Sequence, residues 1–443
     1  MLPLAIAPLI LSVTPPPPVV ITRPQEVRPL PGQLDNIPVF NSNSPEVVPV
    51  EGILLSTFPP EGKTQTNAHL NFPFDGRFDI FAHHIARPTD PEDLRTLYLG
   101  LLAYNPTSEP VTLEILQAAS YLSQPDAPFI PLPPVLDNND GTVFAGPGSR
   151  VMGEILRVGG QSSPPDQVII PPQQFQMVFK APIPVKTLEP PLNGRSLLMR
   201  LQSSGAVHIA SLAQFAIQNP DGSESSPALE SWVELLQNGS LVTPRDLAPT
   251  PPNSPENIIY GRVAGVALGS VWKAEITNLT IPKPGQAISY IFSSLPGGKL
   301  GTNQNQSAPM VVRYEDTAYQ AHGNYGIQYS LTLDLSNPTN TPKTVVLTME
   351  TPLKSNELTD GGVQFFEEPP SRVFFRGTVR FRYTDDSGTT VSRYFHLVQN
   401  RGQKGEPLIE LDIQPRTRRQ VEFDFLYPPD ASPPQVLTIK TLD

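Results

Sequence analysis

The sequence predicts an all-β protein: two tandem β-sandwich domains, Ig-like or jelly-roll-like, behind a proline-rich N-terminal arm. Three observations predict it. Proline makes up 55 of 443 residues, about 12% against a usual ~5%, and each proline inside a helix costs about 3 kcal/mol. Short apolar or alternating runs recur at 178–180, 197–201, 329–335, 345–349, 379–383 and 421–425, and Pro, Gly, Asn and Asp break the chain between them. In the run 379–383, Val379, Phe381 and Tyr383 share one face and Arg380 and Arg382 the other, which is the period of a strand with one buried side. Many such strands separated by turn residues imply sandwiches or barrels.

Taken in order, residues 2–13 (LPLAIAPLILSV) form an uncharged apolar run. It is too short to span a membrane and suits the core of a signal peptide. No Lys or Arg precedes it, since the first is Arg23, and no A-x-A cleavage site follows. Residues 14–50 are extended, proline-spaced chain, read as an arm lying along the first domain. The first β domain is expected over 51–246, ending in a helix near 227–237. Ser226 would cap this helix and Pro227 would take its first position. Leu229, Trp232, Val233 and Leu236 follow at helical spacing, and Asn238–Gly239 closes it. The segment Gly146-Pro147-Gly148-Ser149-Arg150 reads as a tight β-turn. LAPTPPNSPEN at 247–257 is the strongest linker, and 258–443 the second β domain. Proline doublets are absent from 258 to 353, so longer and more regular strands are expected there than in the first domain.

The halves look duplicated. Asn105-Pro106-Thr107 and Asn337-Pro338-Thr339 each sit between alternating apolar runs. Further along, Ser149-Arg150-Val151 matches Ser371-Arg372-Val373, and Ile170-x-Pro172 with Val178 matches Ile413-x-Pro415 with Val421. Upstream, His83–His84 parallels His322. The second copy carries an extra hairpin near 375–400.

Net charge is −11 and the pI about 5.1, which argues against nucleic acid as a partner, because phosphate binding needs a basic surface. Without cysteine there is no disulfide frame, thiolate zinc site or cysteine nucleophile. Signatures of nucleophile elbows, zinc proteases, P-loops and dinucleotide folds are missing, and no cofactor is expected. The one metal reading joins His69 to His83 or His84, with Asp75 or Asp79 as the carboxylate. The plainer reading is that these histidines are hydrogen-bonded and orient a loop, with one of the adjacent pair buried and the other exposed. DNNDG at 137–141 resembles a calcium loop but lacks the spacing and closing glutamate of an EF-hand.

The C-terminal part is locally basic. Arg372, Arg376, Arg380, Arg382, Arg393, Arg401, Lys404, Arg416, Arg418 and Arg419 crowd one stretch of an acidic chain. Among them Arg380, Arg382, Arg393, Arg416, Arg418 and Arg419 are the candidate contacts for an anionic partner. The plainer reading is a solvated face balanced by Asp385, Asp386, Glu406, Glu410 and Asp412.

The segments at 25–48, 52–63, 76–86 (GRFDIFAHHIA), 259–272 (IYGRVAGVALGSVW) and 318–338 (AYQAHGNYGIQYSLTLDLSNP) resemble a family of uncharacterised cyanobacterial proteins thought to be exported. The resemblance spans nearly the whole chain from residue 25. It implies an envelope location and carries over no catalytic residue. The expected function is therefore that of a non-catalytic envelope, periplasmic or extracellular protein. It would act on a protein or cell-wall polysaccharide through its surfaces, without a transmembrane span. One alternative is glycan binding through the Arg-bearing strands. Another is a metalloprotein or hydrolase at His69, His83 and His84.

Overall fold

The computed structural model describes residues 18–157, 166–252, 254 and 258–442. The signal-peptide run lies outside them, as do residue 253 and residues 255–257 of the expected linker. The fold is all-β: 28 strands stand against two α-helices and two short 3₁₀ turns among the described residues.

Both halves pair their strands in the same order. In the first, Phe74–Ala86 pairs with Asn193–Phe215, which pairs with Val111–Leu122, which pairs with Gln167–Ile170. In the second, Ala287–Phe292, Gln435–Thr441, Lys343–Glu350 and Pro407–Ile413 follow the same sequence. The opposing layers contain the antiparallel pairs Leu97–Tyr104 with Phe175–Ile183, and Gln328–Ser336 with Arg418–Leu426.

The Asn-Pro turns are equivalent in detail. Asn105 is fully buried and its Nδ2 donates to the carbonyls of Glu109 (2.7 Å) and Ile170 (2.9 Å). Asn337 does the same to Thr341 (2.9 Å) and Ile413 (2.9 Å). In each turn the threonine two residues on donates its N–H and Oγ1–H to the asparagine Oδ1. The proposed match of His83–His84 with His322 does not hold. The counterpart of the strand bearing His83 is Ala287–Phe292, and His322 instead precedes the 3₁₀ turn Gly323–Tyr325.

The halves differ at one insertion point. Between the second and third strands of the four-strand unit in chain order, the second half carries the hairpin Val373–Thr384 and Thr390–Asn400. The first half carries an α-helix there, Pro147–Leu156. A tight turn was expected from the glycines and proline, but Pro147 sits in the first turn, where its missing N–H costs nothing. Tertiary packing then overrides the low propensity of Gly148 and Gly153. A Cβ at Gly153 would lie 3.1 Å from Thr378 Oγ1, and one at Gly148 2.3 Å from Pro429, so small residues admit the helix against the second half. The second helix, Leu229–Asn238, begins two residues later than expected, with Ala228 rather than Ser226 at its cap. Trp232 is fully buried beneath it against Phe58, Leu102 and Leu212.

The arm does more than line the first domain. Pro38–Ser42 lies parallel to Phe74–Ala86 of the first half, and Glu26–Arg28 lies parallel to the equivalent strand, Ala287–Phe292, of the second. Pro38–Ser42 also pairs with Ala264–Leu268, which joins the halves in one sheet. The expectation of longer strands after residue 258 fails. The longest strand between 258 and 353, Val271–Thr280, has 10 residues, against 23 for Asn193–Phe215, 13 for Phe74–Ala86 and 12 for Val111–Leu122 in the first half. Asn193–Phe215 pairs first with Phe74–Ala86 and Val111–Leu122, then, beyond a break at 203–207, with Leu97–Tyr104 and Gly52–Ser56.

Candidate functional site

Alternation places the six candidate arginines on exposed strand faces or turns, but most bring their own counterions. Arg380 and Arg382 stand directly opposite Asp424 and Glu422 on the neighbouring strand, and both pairs close to 2.8 Å. Arg393 meets Asp137 at 2.9 Å, Arg418 meets Asp334 at 3.2 Å, and Arg419 pairs with Asp386. Arg416 donates to the Asn340 side chain at 3.0 Å. The expected balancing acids supply only Asp386; the others come from Asp137, Asp334, Glu422 and Asp424. Burial alone would lower the pKa of the half-buried Arg380, but the Asp424 carboxylate and Tyr394 together outweigh it and raise the value.

The cations without such partners lie elsewhere. Among the described residues no carboxylate stands within 4.0 Å of Arg372, Arg376, Arg401 or Lys404. Each arginine instead lies over an aromatic ring, Arg372 on Phe374 (5.4 Å), Arg376 on Phe129 (4.9 Å) and Arg401 on Phe366 (5.7 Å). Of the four, Arg376 lines an open groove of about 660 Å³, together with Phe129, Ile130, Leu132, Val373 and Val398, and Arg372, Arg401 and Lys404 adjoin its lining residues in the chain. The register explains the grouping, since Val373 faces Asn400, and Arg401 N–H donates to Arg372 O at 2.9 Å. Phe129 and Ile130 are 52% and 48% exposed on the groove wall. Glu367, Glu368 and Glu406 are the nearest acids in the sequence and are also exposed. A guanidinium stacked on a ring keeps its N–H fork available to an acceptor. The groove can therefore hold an extended anion against apolar surface.

A model of a family of proteins of unknown function, DUF3370, matches residues 25–441. The chain belongs to this family. No curated protein matches it. Among solved structures, the DUF3370 chain is similar to the N-terminal CBM22-1–CBM22-2 tandem domain of Paenibacillus barcinonensis Xyn10C. That match has 12% identity and a TM-score of 0.13, covering 89% of this chain and 99% of that one.

The histidines of this DUF3370 chain do not converge. His69 Nδ1 bonds Ser56 Oγ at 2.8 Å, His83 Nδ1 bonds Ser196 Oγ at 2.7 Å, and His84 uses both nitrogens, on Ser42 Oγ and Pro45 O, each at 2.9 Å. Asp79 is taken by Arg77 at 2.5 Å and by the Ser270 hydroxyl. No group of three or more acidic, histidine or cysteine side chains among the described residues is placed to share a metal ion. Both His83 and His84 are buried, against the expectation of one exposed, because their strand is covered on both faces. Burial pushes the His84 pKa down to about 3 and that of His69 to about 4. The DNNDG loop closes on itself. Asn138 Nδ2 donates to Val143 O (2.8 Å) and Thr378 Oγ1 (3.0 Å), and its Oδ1 accepts from Val143 N–H (2.9 Å).

Proposed function

We propose that this protein is a non-catalytic component of the cell envelope or extracellular space that binds an acidic polysaccharide along the groove between Phe129–Pro134 and residues 369–403. The observation that carries the reading is the sorting of the cations. Five of the six arginines first singled out are held by carboxylates, whereas Arg372, Arg376, Arg401 and Lys404 meet none within 4.0 Å among the described residues; Arg376 lines the groove, and the other three adjoin its lining residues in the chain. An extended peptide is less suited to this place. The bordering edge strand, Val135–Asp137, has three residues. Pro131, Pro133 and Pro134 before it lack the N–H donors that strand addition needs. On an acidic chain, this local positive potential also steers a polyanion to one place.

Retention of the full chain on immobilised polygalacturonate and on neutral dextran tests the reading. Retention on polygalacturonate alone is expected, weakening as salt rises because exposed charges are screened. Arg376→Ala/Arg401→Ala should weaken it about tenfold, the size of one to two charge-assisted contacts, while Arg380→Ala/Arg382→Ala should change it little. Equal retention on dextran, or indifference to the first double variant, refutes the proposal.

A further inference from the structure

We propose that the acidic polysaccharide taken by the groove is an acylated one, with acetyl esters on its sugar hydroxyls beside its carboxylates. This inference rests on the groove reading above and adds to it the chemistry of the hydroxyls.

The lining carries it. Besides Ser371, Arg376, Asn400 and Gln403, every residue lining the groove is apolar, and Arg376 is the one charged side chain among them. Phe129 and Ile130, neighbours in the chain, are each about half exposed on its wall. Uncovered apolar surface rimmed by polar groups marks a place where something docks.

The ledge that presents these side chains is held in place. Gly146 N–H donates to Pro128 O at 3.2 Å, and Val398 N–H donates to Pro134 O at 3.0 Å, so both ends are tied. Between them Pro131 and Pro133 each fix one backbone angle. The Phe129 ring lies against Gly146, where a Cβ would come within 2.2 Å of it, and the Arg376 guanidinium lies 4.9 Å from its centroid. Ring and cation are therefore already side by side before a ligand arrives.

A bare polyuronate suits this lining poorly. Its rings carry hydroxyls, and a hydroxyl pressed against Ile130, Leu132 or Val398 gives up water without gaining a partner. An acetyl ester replaces that hydroxyl by a methyl group and a carbonyl oxygen. The methyl group buries apolar area against the ledge. The carbonyl needs only a donor, and the polar lining supplies one: Gln403 Oε1 accepts from Asn400 N–H at 2.7 Å, which leaves Gln403 Nε2 to donate. The carboxylate goes to Arg376, whose N–H fork stays available while its face is stacked.

Frontal affinity chromatography of the full chain on polygalacturonate, before and after acetylation of its hydroxyls and at matched carboxylate content, tests the inference. The acetylated polymer should retain the protein about fourfold more strongly, the factor for one buried methyl group. Acetylated dextran, which has the esters without the carboxylates, should retain it less than acetylated polygalacturonate does. Phe129→Ser/Ile130→Ser should erase the preference for the acetylated polymer with the thermal midpoint unchanged. Ile130→Ser alone should reduce it, and decides the matter if the double variant does not fold. Equal or weaker retention on acetylated polygalacturonate, or a preference that both variants keep in full, overturns this inference; the groove reading stands in that case if polygalacturonate still retains the protein and dextran does not. Retention on neither form of polygalacturonate, or equal retention on acetylated dextran, overturns both.

Discussion

Acidification from pH 7 to pH 5 should destabilise this protein, and His396 is the place to prove why. His396 is fully buried, its Nδ1 is 3.5 Å from Thr378 Oγ1, and its Nε2 has no partner among the described residues. Burial, aided by the positive charge of Arg376, lowers its pKa to about 4. A histidine in the unfolded chain titrates near ~6.5. Since the folded pKa is the lower one, the unfolded state binds the proton first, and stability falls as pH drops below that unfolded value. The fall continues until the folded pKa is reached. Between pH 7 and 5 linkage gives a loss of about 2 kcal/mol for one such group. His69 and His322, also lowered to about 4, and His84, lowered to about 3, act in the same direction. Asp430 opposes them, because burial raises its pKa and protonation then favours the folded state. Urea denaturation at pH 7, 6 and 5 measures the slope, and His396→Gln and His396→Leu each remove one titrating group from it. Each variant should lose about 2 kcal/mol less than the parent over this window. Parent stability that stays flat or rises on acidification, or variants with the parent slope, would refute the reasoning.

Two further outcomes follow from packing and hydrogen bonding. Asn105→Ala and Asn337→Ala each strip one buried carbonyl, Ile170 O or Ile413 O, of its side-chain donor, so each should cost about 1–3 kcal/mol in chemical denaturation; unequal costs would show that the two turns are not equivalent. A Cβ at Gly100 would lie 3.0 Å from the Trp232 ring, so Gly100→Ala should cost about 1–3 kcal/mol. That penalty should vanish in a Trp232→Leu background, and an additive double-mutant cycle would mean that the ring is not what Gly100 accommodates.

What the sequence revealed of the fold followed from periodicity and turn chemistry. Alternation at 379–383 marks a real strand, and the Asn-Pro turns announce the repeat because their hydrogen bonds are local apart from those to Ile170 O in the first and to Ile413 O and Gln414 O in the second. The helix Pro147–Leu156 stayed hidden because its reason for existing is remote: Val151, Met152 and Ile155 pack into the second-half core. Strand lengths in the first half were underestimated for a similar reason, since prolines mark where strands stop and say little about how far a strand such as Asn193–Phe215 can serve two layers. At the site, the count of basic residues was legible and their pairing was not. Arg380 and Arg382 find acids only because register sets Asp424 and Glu422 opposite them. No local signal separated the two kinds: Arg372 and Arg393 each have a phenylalanine two residues along and lie over it, yet Arg393 also meets a carboxylate.

The groove draws its walls from both halves, so its shape depends on what fixes one half to the other. Three connections do so. The arm strand Pro38–Ser42 hydrogen-bonds Phe74–Ala86 on one side and Ala264–Leu268 on the other. The helix of the first half packs on the hairpin strand Val373–Thr384 of the second, insertion against insertion. Val135–Asp137, which directly continues the groove wall Phe129–Pro134, adds to the hairpin by pairing with Phe395–Leu397. Phe81 and Leu198 of the first half also complete the core of the second, so separating the halves would expose apolar surface at about 25 cal/mol per Å². A surface held at three points spends little ordering entropy when a polymer settles on it. The arm and the two insertions, the parts that a simple pair of sandwiches would not need, are therefore the parts that make the groove a preformed one.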